Sequence, residues 1–477
     1  MNSFKELEDS LCYEHKTLED AGYGKRKTSR RKVRLFTVQV DTPRVIKTAH
    51  GFLDRVLGVC KKYGYAANVM DGRLYFPEPK RDKAFGFRFS QADVFKRLLD
   101  ENRSGICCAP TRWGKSSILI NLLRVYPGMK TVVAAPGRDL LNQLYDAVKA
   151  QLTGRDVKLI HSQSRHKYPS DDITICSFDS LKKCDHEGTK LLLIDEPHEA
   201  VTEKRAPMLQ KFWRARKLAV GATPTGRYDG ADALIEGLIG PVLVEKTYTK
   251  AVKEGSICPI NVLILRIPAN PANAYSRNQA YARMLWGNPK FADYLQEISR
   301  RIIPSDWQSL VFIDNQKQAE MLHDYLPEAR IAMDKLMTAK QRKEVFAEMA
   351  AGNIKRCLSS DIYRAGVTFS DLRVVVNAAG GGANISCIQK PGRLAEVRDG
   401  KTCGVVFDFL FVQKETDHKF NEGPKTKVNA EGWMPFRDSV ARMNMYKKKG
   451  YGVYVVDTLE ELKARFEVTA HSAASTC

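Results

Sequence analysis

The sequence predicts an α/β chain with two parallel-sheet domains in tandem behind a small α+β module, and three observations carry that expectation. The apolar run Ser104 to Ala109 enters the octapeptide Ala109-Pro110-Thr111-Arg112-Trp113-Gly114-Lys115-Ser116, and helical spacing follows from Ser117 to Val125, the strand, loop and helix order of a phosphate-binding loop. Four apolar residues, Leu191 to Ile194, end in the adjacent carboxylates Asp195 and Glu196, followed by Pro197 and His198, which reads as a buried parallel strand with acids at its carboxyl end. A second block of alternating strand and helix patterns runs from about 300 to 410 and has no phosphate loop of its own.

Taken in order, residues 1–34 are polar and end in the basic runs Lys25-Arg26-Lys27 and Arg30-Arg31-Lys32, which predicts a flexible basic arm. Residues 35–80 read as strand (35–40), helix (43–63) and strand (66–76, turning at Asp71-Gly72), a small accessory module that binds DNA. Residues 81–250 form the nucleotide-binding domain around the phosphate loop. Residues 251–477 form the second domain with a C-terminal extension: helix, strand (451–456) and helix from Arg437 to Phe466. In that extension Tyr451, Val453 and Val455 alternate as one face of a buried strand, which leaves phosphate contact to Lys447, Lys448 and Lys449.

The loop's chemistry follows from its residue types. After Pro110, which has no N–H to give, backbone N–H groups from Thr111 to Ser117 wrap the β- and γ-phosphates, Gly114 lets the chain approach them, Lys115 adds charge and the Ser116 hydroxyl ligates Mg²⁺. Asp195 holds the same ion and Glu196 polarises the attacking water, so ATP and Mg²⁺ are the expected cofactors. The strand Ala219 to Gly221, ending in Ala222-Thr223-Pro224-Thr225-Gly226-Arg227, should reach the same carboxyl edge as Asp195. In Gln389-Lys390-Pro391-Gly392-Arg393, Arg393 is a cation that can enter the nucleotide site.

Of the 477 residues, 43% are hydrophobic, and none of the apolar runs has membrane length. Lys and Arg exceed Asp and Glu by 21, which points to a polyanionic partner. Met1 to Asp20 is charged and polar, unlike a secretory leader. The eleven cysteines lack C-x-x-C spacing, arguing for reduced thiols in a cytoplasmic compartment and against structural zinc or an iron–sulfur cluster.

These residues resemble the superfamily-two helicases and translocases. Asp195-Glu196-Pro197-His198 looks like a DExH motif II, Ala222 to Arg227 motif III, and Phe87-Arg88-Phe89-Ser90-Gln91 the adenine-recognition motif. Ala135 to Gln143 looks like motif Ia, and Thr174 to Phe178 the strand-touching motif after it. Ser309 to Ile313 looks like motif IV, Ser359 to Gly366 motif V and Gln389 to Arg393 motif VI. The resemblance implies two RecA-like domains, Gln91 reading the base edge with Arg88 stacked near it, and Gln389 and Arg393 at the γ-phosphate. It implies a backbone grip by Pro136, Arg138, Ser177, Phe178, Asn315 and Ser360. His198 and Thr223, placed between phosphates and strand, are expected to couple hydrolysis to movement.

Gly221 to Pro259 and the tail Ser439 to Val456 look more narrowly like phage branched-DNA helicases of the UvsW type. That implies a forked or junction DNA substrate, phage or host replication and recombination proteins as partners, and the host cytoplasm as the location. Two positions depart from the pattern. Glu396 stands where a second motif VI arginine is usual, so either Arg398 substitutes from a shifted backbone or hydrolysis relies on Arg393 alone; Thr368 replaces an acid in motif V. An RNA-directed ATPase with the same core, and a nucleic-acid-binding scaffold with a weakened ATPase, are the competing expectations.

Overall fold

The computed structural model describes residues 2–471 apart from 21–25, 40–44, 71–72, 74, 165, 203, 223–231, 334–335, 361–368, 370, 383–390, 399 and 414–427. The chain divides into two compact units, one of Met1–Glu19 and Thr28–Glu254, the other of Asp20–Lys27 and Gly255–Cys477.

The first unit is built on a seven-stranded, all-parallel sheet. Its order is Val242–Glu245, Gly105–Cys108, Arg216–Gly221, Leu191–Asp195, Thr131–Ala135, Ile173–Ser177 and Val157–Ile160. Both faces are covered, so the strands are apolar runs in place of alternating patterns. Leu192, Ile194, Ala219 and Ile106 sit in one buried cluster with Phe178, Leu209 and Phe212. The strand Arg216–Gly221 lies between the loop strand and the acid-bearing strand, with Gly221 level with Cys108 and Val220 level with Asp195. All three chain segments that carry the predicted nucleotide chemistry therefore leave the sheet side by side, at the edge where parallel α/β sheets bind ligands.

The unit ends at 254, not 250. Helix Tyr248–Lys253 is capped by the Thr247 side chain, buries Ala251, and sends Glu254 to the indole of Trp113, which keeps it with the first sheet.

Before residue 35, where a flexible arm is expected, the described residues form secondary structure. Asn2–Leu11 is a helix, and Cys12–Asp20 pairs with Arg26–Arg34. The physical cause is Leu7 and Leu11, one helical turn apart among charged residues, which bury against Phe36, Phe52 and Val59. Part of the basic character is also neutralised locally, as Arg34 pairs with Glu8 and Arg30 Nη1 lies 3.7 Å from Glu14 Oε2. The expected helix 43–63 starts later. Val45–Thr48 is a strand antiparallel to Phe36–Gln39, and the helix is Leu53–Lys62, because the β-branched Val45, Ile46 and Thr48 suit the pleat better than a helical turn. The described residues of 66–76 form no strand, and Tyr65, Met70 and Tyr75 are exposed; the Asp71-Gly72 turn lies outside the described residues.

The second unit repeats the architecture: Arg330–Ala332, Arg356–Ser359, Gln308–Phe312, Leu372–Asn377, Gly404–Gln413, Ile260–Ala269 and Gly452–Val456, all parallel. The extension is thus integral to the sheet. Its helix Met434–Lys448 lends Arg442, whose guanidinium forks onto Asp408 with both contacts at 2.9 Å, and Tyr446, whose hydroxyl donates to the same carboxylate at 2.8 Å. Arg442 also donates to the carbonyl of Gly381, which ties the turn beyond strand Leu372–Asn377 to this buried pair.

Candidate active site

The phosphate loop leaves strand Gly105–Cys108 and enters helix Lys115–Val125 at Gly114, whose φ of 100° only glycine adopts without strain. A Cβ there would also lie 2.3 Å from Gln91 Nε2. Arg112 has a φ of 71° in spite of its side chain, a strained backbone of the sort that collects at functional sites. The Ala109 N–H donates to the Gly221 carbonyl at 2.9 Å, fixing the loop's root against the neighbouring strand. Ser117 is half-buried, as are Pro110, Thr111, Arg112 and Lys115, while Ser116 is exposed.

Asp195 closes strand Leu191–Asp195 and is 6% exposed, with no hydrogen-bond partner for Oδ1 among the described residues. Burial, reinforced by the charge of Glu196 and opposed by Lys115, pushes its carboxyl up to about 7. Glu196 takes a φ of 52°, and its N–H donates to the Val220 carbonyl at 2.9 Å. Its two oxygens face different partners: Oε1 lies 3.6 Å from Lys115 Nζ, and Oε2 3.4 Å from His198 Nδ1. Gly221 makes this crowding possible, since a Cβ there would be 2.7 Å from Pro197 Cδ. Lys115, Asp195, Glu196 and His198 are thus brought together, as expected from their separate motifs.

Gln91 is held by two hydrogen bonds. It is 2% exposed; its Oε1 accepts the Arg88 N–H at 2.9 Å and its Nε2 donates to the Trp113 carbonyl at 2.6 Å. One donor and one acceptor remain for a base edge, and the two bonds already made brace the phosphate loop. Arg88 is exposed. Thr223 and Gln389 lie outside the described residues. Arg393 opens the short helix Arg393–Ala395 and is 5% exposed. Arg398 meets Lys401 in an isolated bridge.

Among the grip candidates, Pro136, Arg138 and Ser177 leave adjacent strands, because Ala135 is level with Ser177. Arg138 donates to the Gln163 amide oxygen. Phe178 is a correction: its side chain is 3% exposed, inside the core beneath the guanidinium of Arg205, and offers no face to a strand. Ser177 Oγ is 2.8 Å from Ser180 Oγ. In the second unit Asn315 caps helix Gln316–Tyr325 by accepting the Gln318 N–H at 3.0 Å, and Ser360 follows strand Arg356–Ser359 beside it. Sequence reasoning missed Lys246 and Glu254 altogether, since nothing local marks residues that meet the loop from 130 and more positions downstream.

Residues 84–226 match the family described as Type III restriction enzyme, res subunit, and residues 290–397 match the family described as Helicase conserved C-terminal domain. The chain belongs to the superfamily 2 helicases. This helicase is 24% identical over 365 residues to a protein assigned as helicase 22 of Sulfolobus islandicus filamentous virus, covering 69% of this chain and 65% of that one. It is 31% identical over 190 residues to the DNA 3'-5' translocase XPB2 of Sulfurisphaera tokodaii, covering 39% and 40%. The chain therefore spans less than two thirds of the length of either relative. A fragment of a type I restriction enzyme HsdR subunit from Vibrio vulnificus shares the fold, with a TM-score of 0.56 over 94% of this chain and 92% of that one at 14% identity. T4 UvsW aligns over 96% of each chain with a TM-score of 0.36 at 16% identity.

Proposed function

We propose that this helicase is an ATP-driven DNA motor of the DExH kind that translocates along a strand and remodels forked and junction DNA in replication, recombination or repair. The observation that carries the chemistry is the convergence of Lys115, Asp195, Glu196 and His198 at one sheet edge, with Lys115 Nζ 3.6 Å from Glu196. Loop N–H groups and Lys115 hold the phosphates of ATP. Glu196, beside Lys115, accepts the proton of the attacking water, and His198, 3.4 Å from its other oxygen, registers that change toward the strand. The buried Oδ1 of Asp195, which has no hydrogen-bond partner among the described residues, and Ser116 at the helix start fit a Mg²⁺ ion. These two residues would hold it, and the ion supplies charge neutralisation at the phosphate oxygens. Arg393 and Gln389 are assigned to the γ-phosphate.

DNA as the track is supported by the net charge of +21, by the basic run Arg30, Arg31 and Lys32, and by the identity with a relative named as a DNA translocase. Branched DNA is supported by the sequence resemblance and by the accessory module, which docks on the nucleotide-binding unit through His50, Phe52 and Arg55. Pro136, Arg138, Ser177, Asn315 and Ser360 form the grip.

The test is steady-state ATP hydrolysis with no polymer, single-stranded DNA, duplex, four-way junction and RNA, each at two salt concentrations. Stimulation by the junction beyond linear DNA, weakening with salt, is expected. Stimulation by RNA alone would replace the DNA assignment, and none by any polymer would favour a scaffold.

A further inference from the structure

Trp113, in the middle of the phosphate loop, is 2% exposed. Its carbonyl accepts the Gln91 amide at 2.6 Å, and its indole N–H donates to Glu254 Oε1 at 3.1 Å. Glu254 Oε2 lies 2.5 Å from Lys246 Nζ, which donates in turn to Ser90 Oγ at 2.7 Å. Both ions of this pair are largely sheltered, with side chains 10% and 20% exposed, so the bonds act in a medium that screens them less than water. The phosphate loop and the base-side segment Ser90–Gln91 are consequently joined twice, directly through Gln91 and by way of Glu254 and Lys246. Glu254 is also the C-cap of helix Tyr248–Lys253 and the last residue of the first unit.

We infer that Trp113, Glu254 and Lys246 form a tether that transmits occupancy of the phosphate loop to the point where the chain leaves the nucleotide-binding unit. The strained φ of 71° at Arg112 shows why the anchor matters. A residue with a Cβ stays in that region only where its surroundings over-determine it, and the buried indole does so from the next position. A loop pinned this way cannot adjust to phosphate by itself. Its movement displaces the carboxylate shared with Lys246, and the six-residue helix that Glu254 caps follows. Glu254 is a positioning residue in this scheme, acting through Trp113. The inference rests on the assignment of ATP to the phosphate loop.

The experiment is hydrogen exchange of the full chain, with and without ADP, read at the backbone amides of Tyr248–Lys253, together with calorimetric ADP affinity. It compares the parent with Trp113→Phe, Glu254→Ala, Glu254→Gln and Lys115→Ala. ADP is expected to slow exchange in that helix in the parent. Trp113→Phe and Glu254→Ala should abolish the response and weaken ADP by about threefold to tenfold, the range for one missing hydrogen bond. Glu254→Gln has one acceptor oxygen where the carboxylate has two, so it cannot keep both the indole and the Lys246 bonds and should weaken the response; this isosteric variant carries the test if Glu254→Ala does not fold. An unresponsive helix in a parent that binds ADP, or a response retained by both Trp113→Phe and Glu254→Ala, overturns the inference. ADP binding that is indifferent to Lys115→Ala would instead remove the loop assignment itself, and the two failures are thereby told apart.

Discussion

Glu196 and Asp195 are neighbours in sequence and differ in environment. Asp195 ends a strand inside the apolar sheet, where burial raises its carboxyl, whereas Glu196 turns out through a left-handed backbone toward Lys115 and His198. Glu196→Gln should bind ATP with little change and lose about 10² or more in turnover, the scale of one catalytic proton transfer. Lys115→Ala should weaken nucleotide binding itself. Filter binding alongside steady-state turnover separates the two, and normal turnover by Glu196→Gln would remove its assignment as base.

Lys217 shows a cost of the same sheet. It sits in strand Arg216–Gly221, almost wholly buried, and burial together with the charge of Arg73 lowers its amine from 10.5 to about 8. A depressed amine pKa means that the unfolded chain binds the extra proton between those values. The full cost is therefore present below pH 8 and is relieved as pH rises toward 10.5. The gap corresponds to about 3 kcal/mol. Lys217→Met should stabilise the first unit at about pH 7 and much less near the amine's ordinary pKa of about 10.4, measured by urea unfolding at both values; an equal gain at the two would contradict the charged-amine origin.

At the scale of elements, glycine decides how the accessory module docks. Gly237, within helix Asp232–Ile239, leaves room for the Phe52 ring: a Cβ there would lie 2.5 Å from it, and one at Gly51 would lie 1.7 Å from the Glu236 carbonyl oxygen. Gly→Ala inside a helix ordinarily stabilises by up to about 1 kcal/mol. That sign should hold for Gly58, in helix Leu53–Lys62 with nothing within 4 Å, and reverse to a loss of about 1–3 kcal/mol for Gly237→Ala through overpacking. Thermal melting of both variants tests the docking geometry directly.

In the second unit the Asp408–Arg442 fork is buried on both sides. Arg442→Ala leaves a buried carboxylate whose remaining partners include the Tyr446 hydroxyl and Asn377 amide, and should destabilise that unit by about 3–5 kcal/mol in denaturant titration.

At the scale of the molecule, the charge excess belongs to a surface term that salt screens. Removing Arg30, Arg31 and Lys32 together should lower the slope of log affinity against log salt by about one for each phosphate that the variant no longer neutralises. Equal slopes for variant and parent on duplex and junction DNA would show that the basic strand lies off the track.

Whatever is local or periodic could be read from the residues alone: the strand, loop and helix around Gly114, the acids closing an apolar strand, and two alternating blocks that had to become parallel sheets with covered faces. Such features depend on backbone geometry within about ten residues, and that geometry is encoded where it is used. The rest was settled by packing. Leu7 and Leu11 made an ordered helix out of an expected arm because Phe36, Phe52 and Val59 were there to bury them, and Phe178 left the strand-contact set because the core took its ring. Trp113 found Glu254 141 positions away, and Asp408 found Arg442 34 positions away. Burial and hydrogen-bond pairing are satisfied by whichever residues the fold brings together. A buried donor therefore announces in sequence that it needs a partner, and only the packed chain names which one.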